Sequence, residues 1–417
     1  MVTVKCRRCL ANNAFDLGAV LDAEGIPTCG SCEKPVMRGD RGHGTVSAAN
    51  YVLDPDVRIM RSLRRVPGLV RAVQLYAKIV TDDDLLLMRY ADDIEISAQQ
   101  LPEVYDLYIE AGARLGLSPE SLPPLFVEQQ RAPNASTAGV ERAHLVVTAG
   151  LLELMTDGEL VAILGHELGH VQSGHFTYTT ALHRVHDLAS IATSMTPVSI
   201  DELMLRALGN PAVLAWVRAA ERTADRAGML AARRPRDMVT ALMKLAGAPP
   251  KLTGNVELEA FTAQAERFEQ LIEGSVRRRL LVAKDAIYLS HPFPAVRVSE
   301  ALALLGTPAW FDILERVNDD EPGRWERICD HCQGLVVAWD VVCRHCAWTV
   351  EPPPEDDEQD ESEMIGAEPP PETGAWREMV TEQAKRASSW RPSLRSRRGS
   401  EAGDDEDEPE TGDDSGR

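Results

Sequence analysis

VAILGHELGHVQSGHF (residues 161–176) sets three histidines and one glutamate into a mostly apolar run. Apolar residues recur here at helical spacing, so the stretch is predicted to be a buried helix. His166 and His170 are four apart, which places both imidazoles on one helical face, one turn from each other. That arrangement suits two ligands of a single Zn²⁺. Glu167 lies beside them, near the metal yet rotated away from direct ligation. It is placed to take a proton from water that the metal has acidified. A bland alternative, a helix with two surface histidines, fits poorly, because buried histidines without partners are costly.

A zinc site of this kind needs a third protein ligand and a position left for water. A third histidine in an extended motif would require a glycine at 173 and a histidine at 176, and the chain has Ser173 and Phe176. His175 is one position short of that register and is expected to pack or hydrogen-bond near the helix. Downstream, Glu202 and Glu221 are the main carboxylate choices. Glu221 is favoured, because Asp225 follows it by four residues in WVRAAERTADRAGML. Glu221 can ligate while Asp225 orients a ligand histidine by hydrogen bond. Glu202 has no such companion and is read as a solvated helix carboxylate, and His144, His183 and His186 as structural or surface residues.

All eight cysteines fall into four CxxC pairs. Cys6, Cys9, Cys29 and Cys32 form one group, and Cys329, Cys332, Cys343 and Cys346 the other. Each matches a four-cysteine zinc ribbon, in which two knuckles hold tetrahedral Zn²⁺ that substitutes for a core too small to fold alone. Closed all-thiolate sites leave no coordination position for chemistry, so both are read as structural.

The chain has 417 residues with 44% hydrophobic content, enough for a substantial core. Its net charge of −21 argues against nucleic acid as a partner. Residues 351–417 carry 21 acidic and 8 basic side chains and are rich in proline, so this tail is expected to be disordered. Within it, residues 376–398 hold two tryptophans and net positive charge, read as basic spacing in a flexible tail, with a short recognition helix as the alternative. No secretory leader and no apolar run long enough to span a membrane are seen. A cytoplasmic protein with reduced thiols is therefore expected. Residues 33–50, with His43, are read as a polar linker. Helical periodicity is predicted over 55–117 and again over 151–315. LFVEQQ (125–130) and HLVVTAG (144–150) are strand candidates flanking a turn-rich PNASTAGVERA.

HELGH followed about fifty residues later by ERTAD resembles the M48 family of zinc metallopeptidases, which includes the HtpX heat-shock proteases and the CAAX prenyl proteases. PNAST (133–137), the lead-in HLVVTAGLLELMTDGELVAILGHELGHV and HPFPAVR (291–297) resemble further segments of that family, and the likeness covers about residues 85–305. The resemblance implies His166, His170 and Glu221 as zinc ligands, Glu167 as general base and Asp225 as a supporting carboxylate. It further implies His291 and Arg297 near the metal, with His291 acting in catalysis by helping to stabilise the oxyanion, and substrate lying extended along an edge strand near Asn134 and Ala135. Many family members are integral membrane proteins. This chain departs from them in showing no span, and in its two ribbons and acidic tail.

The resulting expectation is an α+β, mainly helical zincin-like metallopeptidase core with a small edge-strand sheet, plus two small zinc ribbons. The predicted domains are a ribbon at 1–45, an M48-like peptidase domain at 46–320, a second ribbon at 326–350 and a disordered tail at 351–417. Three Zn²⁺ are expected, one catalytic and two structural. The substrate is a protein or peptide, and the ribbons and tail are possible docking elements for a protein partner. The competing expectation is a catalytically silent adaptor or chaperone-like protein.

Overall fold

The computed structural model describes residues 1–24, 26–36, 48–65, 81–140, 142–180, 211–275, 277, 278, 282, 291, 293–316, 326–328 and 335–337. The cysteines of the second ribbon, the acidic tail with its tryptophan segment, most of the 33–50 linker with His43, and Glu202, His183 and His186 lie outside the described residues.

A two-stranded hairpin, β1 (Val2–Lys5) and β2 (Asn12–Phe15), opens the chain. It is followed by α1 (Leu17–Asp22), the short α2 (Ala48–Tyr51) and α3 (Asp54–Arg65). Next come α4 (Asp82–Asp92), β3 (Ile94–Ile96), α5 (Pro102–Arg114), β4 (Leu125–Glu128), β5 (Ala135–Gly139), β6 (Ala143–Thr148), α6 (Ala149–Leu154) and α7 (Asp157–Gln172). Beyond 210 lie α8 (Pro211–Ala232), α9 (Pro235–Leu245), α10 (Leu258–Ile272), α11 (Pro294–Leu305) and α12 (Pro308–Arg316), then a small pair, β7 (Glu326–Ile328) and β8 (Leu335–Val337). The molecule is thus mostly helical with small sheets.

The main sheet has strand order β3-β4-β6-β5. β4 and β6 run parallel at its centre, with β3 and β5 antiparallel at the edges. Two expectations change here. The 55–117 stretch is helical in α3, α4 and α5, but β3 interrupts it, because Ile94 and Ile96 pair with Val127 and Leu125 of β4. The turn-rich PNASTAG segment is strand β5, paired in register with β6 from Ala135↔Val147 to Gly139↔Ala143. Pairing overrides the turn composition, and Gly139 then reverses the chain at φ 151°, where any side chain would strike the Arg142 carbonyl.

α7 is the central helix. Thr156 and Glu159 form a capping box at its start, with Glu159 accepting from the Thr156 amide at 2.8 Å. Gly174, at φ 66°, ends it. The helix is buried nearly all round. α8 packs against it through small residues. A side chain at Gly169 would lie 2.6 Å from Ala227 Cβ, and one at Gly228 would lie 2.7 Å from the Ala162 carbonyl oxygen. The helices therefore approach backbone to backbone. α3, α5, α9 and α11 complete the surroundings, around a core that includes Trp216, Tyr108, Phe126 and Leu115. Lys244 is buried on α9 and meets Glu159 at 2.6 Å, pinning α9 to the start of α7.

The N-terminal hairpin is not a separate appendage. Phe15 stacks on Phe311 of α12 at 5.8 Å between centroids, and Arg236 of α9 binds Asp22. Leu17, Val20 and Leu21 are buried.

Candidate active site

The period of α7 brings His166 and His170 to one face, and their Nε2 atoms stand 3.2 Å apart. α8 supplies Glu221, with Oε2 3.6 Å from His166 Nε2 and Oε1 3.4 Å from His170 Nε2. His291, just before α11, brings Nδ1 to 3.2 Å from both His166 Nε2 and Glu221 Oε2. A zinc ion about 2.0–2.1 Å from each of four donors sets them about 3.4 Å apart at the corners of a tetrahedron. The four side chains fit that spacing. Glu167, Glu221 and Asp225 are all buried here beside the buried Arg297 guanidinium, an anionic set that suits a divalent cation once His291 gives up its proton.

Each of the two α7 histidines is contacted at its other nitrogen. His166 Nδ1 lies 2.9 Å from Asp225 Oδ1. Arg297 grips Asp225 through Nε at 2.9 Å and reaches Glu221 Oε2 at 3.1 Å. His170 Nδ1 meets His175 Nδ1 at 3.0 Å. Burial, with Arg297 adding to it, lowers the His166 pKa to about 4, so the imidazole is neutral and able to ligate. Burial works against charge on Glu221, Asp225 and Glu167, but neighbouring cations overcome it. His291 holds Glu221 low and Arg297 holds Asp225 low, while His291 brings Glu167 to about 2.

Glu167 lies beside this cluster and is approached from two sides. Thr137 on β5 donates to Glu167 Oε2 at 2.7 Å, and His291 Nε2 lies 3.0 Å from Oε1. His291 Nε2 also lies 2.8 Å from the Ala135 carbonyl oxygen. The edge strand, Glu167 and the His/Glu cluster thus share one histidine. Burial disfavours a charged His291, but Glu221 and Glu167 outweigh it and raise its pKa to about 10. His291 sits at the fourth corner of that spacing, between the Glu221 and Glu167 carboxylates, where the sequence leads one to expect a position open to water. Asn134 stands at the start of the edge strand, its amide donating to Thr148 Oγ1 at 2.9 Å. Thr137 was missed in the sequence, and only its place on β5 singles it out.

The cysteines of the first ribbon also converge. Cys6 and Cys32 sulfurs are 3.8 Å apart and those of Cys9 and Cys29 are 3.6 Å apart. Four thiolates about 2.3 Å from one zinc would stand about 3.8 Å apart. The amides of Cys32 and Ser31 hold the Cys29 thiol down to about 6, which favours the ligating thiolate.

Comparison with known proteins supplies the family. The family described as Peptidase family M48 matches residues 100–305. The Arabidopsis thaliana plastoglobule-localized metallopeptidase 48, chloroplastic, is 31% identical over 260 residues, covering 61% of this chain and 72% of that relative. The chain belongs to peptidase family M48. Among other M48 relatives, the Protease HtpX homolog of Desulfatibacillum aliphaticivorans is 28% identical over 209 residues, which is 45% of this chain and 65% of the relative. That of Bifidobacterium longum is 34% identical over 90 residues, 21% of this chain and 28% of the relative. No solved structure matches. Among the described residues of this M48 chain, no helix is long and apolar enough to cross a membrane.

Proposed function

We propose that this M48 peptidase is a zinc-dependent endopeptidase that uses Glu167 as general base. The observation that carries the reading is the convergence of His166, His170 and Glu221 at tetrahedral spacing, with the Glu167 carboxylate next to them and an edge strand alongside. When bound, zinc supplies a Lewis acid that acidifies water and polarises a peptide carbonyl. Glu167 accepts the proton of the attacking water and returns it to the leaving amine. Its anionic state at neutral pH suits the first half of that exchange. Thr137 fixes the carboxylate from one side, leaving Oε1 to receive the proton.

β5 offers its outer edge to an extended peptide, which would add a strand beside Ala135. His291 has to release the Ala135 carbonyl or Glu167 as substrate settles. It then presents an N–H to the oxygen of the attacked carbonyl, the usual place for transition-state stabilisation. Asp225 and Arg297 keep the ligands in position. The first ribbon, through Cys6, Cys9, Cys29 and Cys32, holds a structural zinc. With the second ribbon, whose cysteines are Cys329, Cys332, Cys343 and Cys346, the reading assigns three Zn²⁺ per chain.

The test is cleavage of a degenerate peptide library by the purified, zinc-loaded chain. Cleavage that stops on chelation and returns with stoichiometric zinc supports the proposal. Cleavage indifferent to chelation, or none by a protein proven to hold zinc at His166, refutes it.

A further inference from the structure

A buried chain of hydrogen bonds leads from the zinc-ligand cluster through His170. His170 Nδ1 lies 3.0 Å from His175 Nδ1, and His175 Nε2 lies 2.9 Å from Asp56 Oδ2. Thr223 donates to the same Asp56 oxygen at 2.7 Å, and its own oxygen accepts from the Leu53 amide at 3.2 Å. Asp56, His175 and Thr223 are each 1% exposed or less. We propose that Asp56, acting through His175, is a positioning residue for the zinc ligand His170, so that α3 forms part of the metal site. This rests on the zinc-peptidase reading above.

Proton placement supports it. If His170 gives its Nε2 lone pair to a metal, its Nδ1 must carry the proton, and His175 Nδ1 must accept it. His175 then has its proton on Nε2, directed at Asp56. The carboxylate is the only member that accepts twice, from His175 and from Thr223. Each hydrogen bond in the chain thereby has one direction, and the last acceptor is an anion. That is the pattern by which a carboxylate fixes the ring orientation of a metal-ligating histidine and increases its basicity. His166 receives the same support directly from Asp225. His170 receives it through an intervening imidazole.

The turn after α7 builds this contact. Gly174 takes a left-handed conformation, and the His175 amide bonds back to the His170 carbonyl at 3.0 Å. The His175 ring thus meets the His170 ring edge-on, 5.2 Å between centroids, with the Trp216 ring also edge-on at 6.1 Å. Asp56 Oδ1 is buried without a hydrogen-bond partner among the described residues. An apolar side chain would avoid that desolvation cost, so packing alone gives no reason for a carboxylate here. Asp56 also precedes the span matched to Peptidase family M48, which begins at residue 100.

The experiment compares His175→Phe and Asp56→Asn with Val57→Ala in the full-length chain. Val57 is a buried neighbour on α3 outside the network. Zinc affinity at the histidine site is read by chelator competition, with the zinc equivalent lost in His166→Ala identifying that site. Thermal unfolding is read in parallel. His175→Phe keeps the ring shape and leaves the His170 N–H unpaired, so zinc affinity is expected to fall roughly 10- to 100-fold. Asp56→Asn preserves an acceptor and removes only charge, so a fall of about three- to tenfold is expected. Val57→Ala should lose stability and keep its zinc affinity within about twofold. In the zinc-loaded wild type, downfield imidazole N–H resonances of His170 and His175 should be protected from exchange, and the His175 resonance should disappear in His175→Phe. If His175→Phe does not fold, Asp56→Asn against Val57→Ala decides the matter. Zinc affinities that fall only in step with unfolding, to the same degree in Val57→Ala, overturn the inference. A wild type that binds no zinc at His166 and His170 overturns the peptidase reading instead.

Discussion

Gly169→Ala places one methyl group where α7 and α8 touch, directly before His170. Its Cβ would lie 2.6 Å from Ala227 Cβ and 3.2 Å from the Ala224 Cα, whereas ordinary contact begins at 3.4 Å. Neither neighbour can rotate away, since one is a backbone atom and the other a methyl fixed to it. The two helices must part by several tenths of an ångström, and overpacking of this kind costs about 1–3 kcal/mol. Glu221 rides on α8 less than two turns from Ala227, so it moves away from the histidines by a similar amount. Metal–ligand distances tolerate only about ±0.2 Å. Zinc affinity should therefore fall by roughly tenfold or more, beyond what the stability loss explains. Gly158→Ala is the control, because on the same helix its Cβ meets the mobile end of the Asp237 side chain. Chelator competition and thermal unfolding of both variants measure the difference. If Gly169→Ala binds zinc as tightly as Gly158→Ala, close helix packing does not set the ligand geometry.

Other outcomes follow from the same structure. Thr137→Val removes the donor to Glu167 Oε2 and should lower kcat by roughly tenfold, the loss of a charge-assisted hydrogen bond, with KM little changed. Arg297→Met strands the buried Glu221 and Asp225 carboxylates and should cost about 3–5 kcal/mol in chemical denaturation of the metal-free protein. The metal-free protein should be most stable near pH 6.5. Below it, the unfolded chain binds the proton that buried His166 refuses, and below 4.5 the Glu167 stabilisation is lost in turn. Above 6.5, the stabilisation from charged His291 fades until about 10, a limb that His291→Asn should lack. Cys29→Ser should remove one zinc equivalent while leaving chelator-sensitive peptide cleavage in place.

What the sequence disclosed divides along physical lines. The pairing of His166 with His170, and of Glu221 with Asp225, is written in the 3.6-residue helical period, and that local geometry survives any tertiary arrangement. The CxxC spacing of the first ribbon is similarly local, and the four sulfurs do gather. Composition alone makes the β5 segment turn-rich, because Asn, Ser, Thr and Gly favour turns; the family resemblance places an edge strand there, and its strand character comes from β6 beside it. β3 has only three residues, too few for periodicity to register. The register of HVQSGHF excluded His175 as a ligand in a longer motif, but its partner Asp56 lies 119 residues earlier. A contact of that range leaves no mark in either segment. His291 is expected near the metal from the family resemblance alone; its place between Glu167 and Glu221 is a contact between distant segments that spacing does not record.

Glu167→Gln gives the most direct test of the central claim. Glutamine keeps the shape and can still accept from Thr137, but it cannot take a proton from water. The account expects zinc content and unfolding temperature close to wild type, with peptide cleavage reduced by roughly 10²- to 10⁴-fold, the contribution of a general base. Cleavage at an undiminished rate by zinc-loaded Glu167→Gln would contradict it.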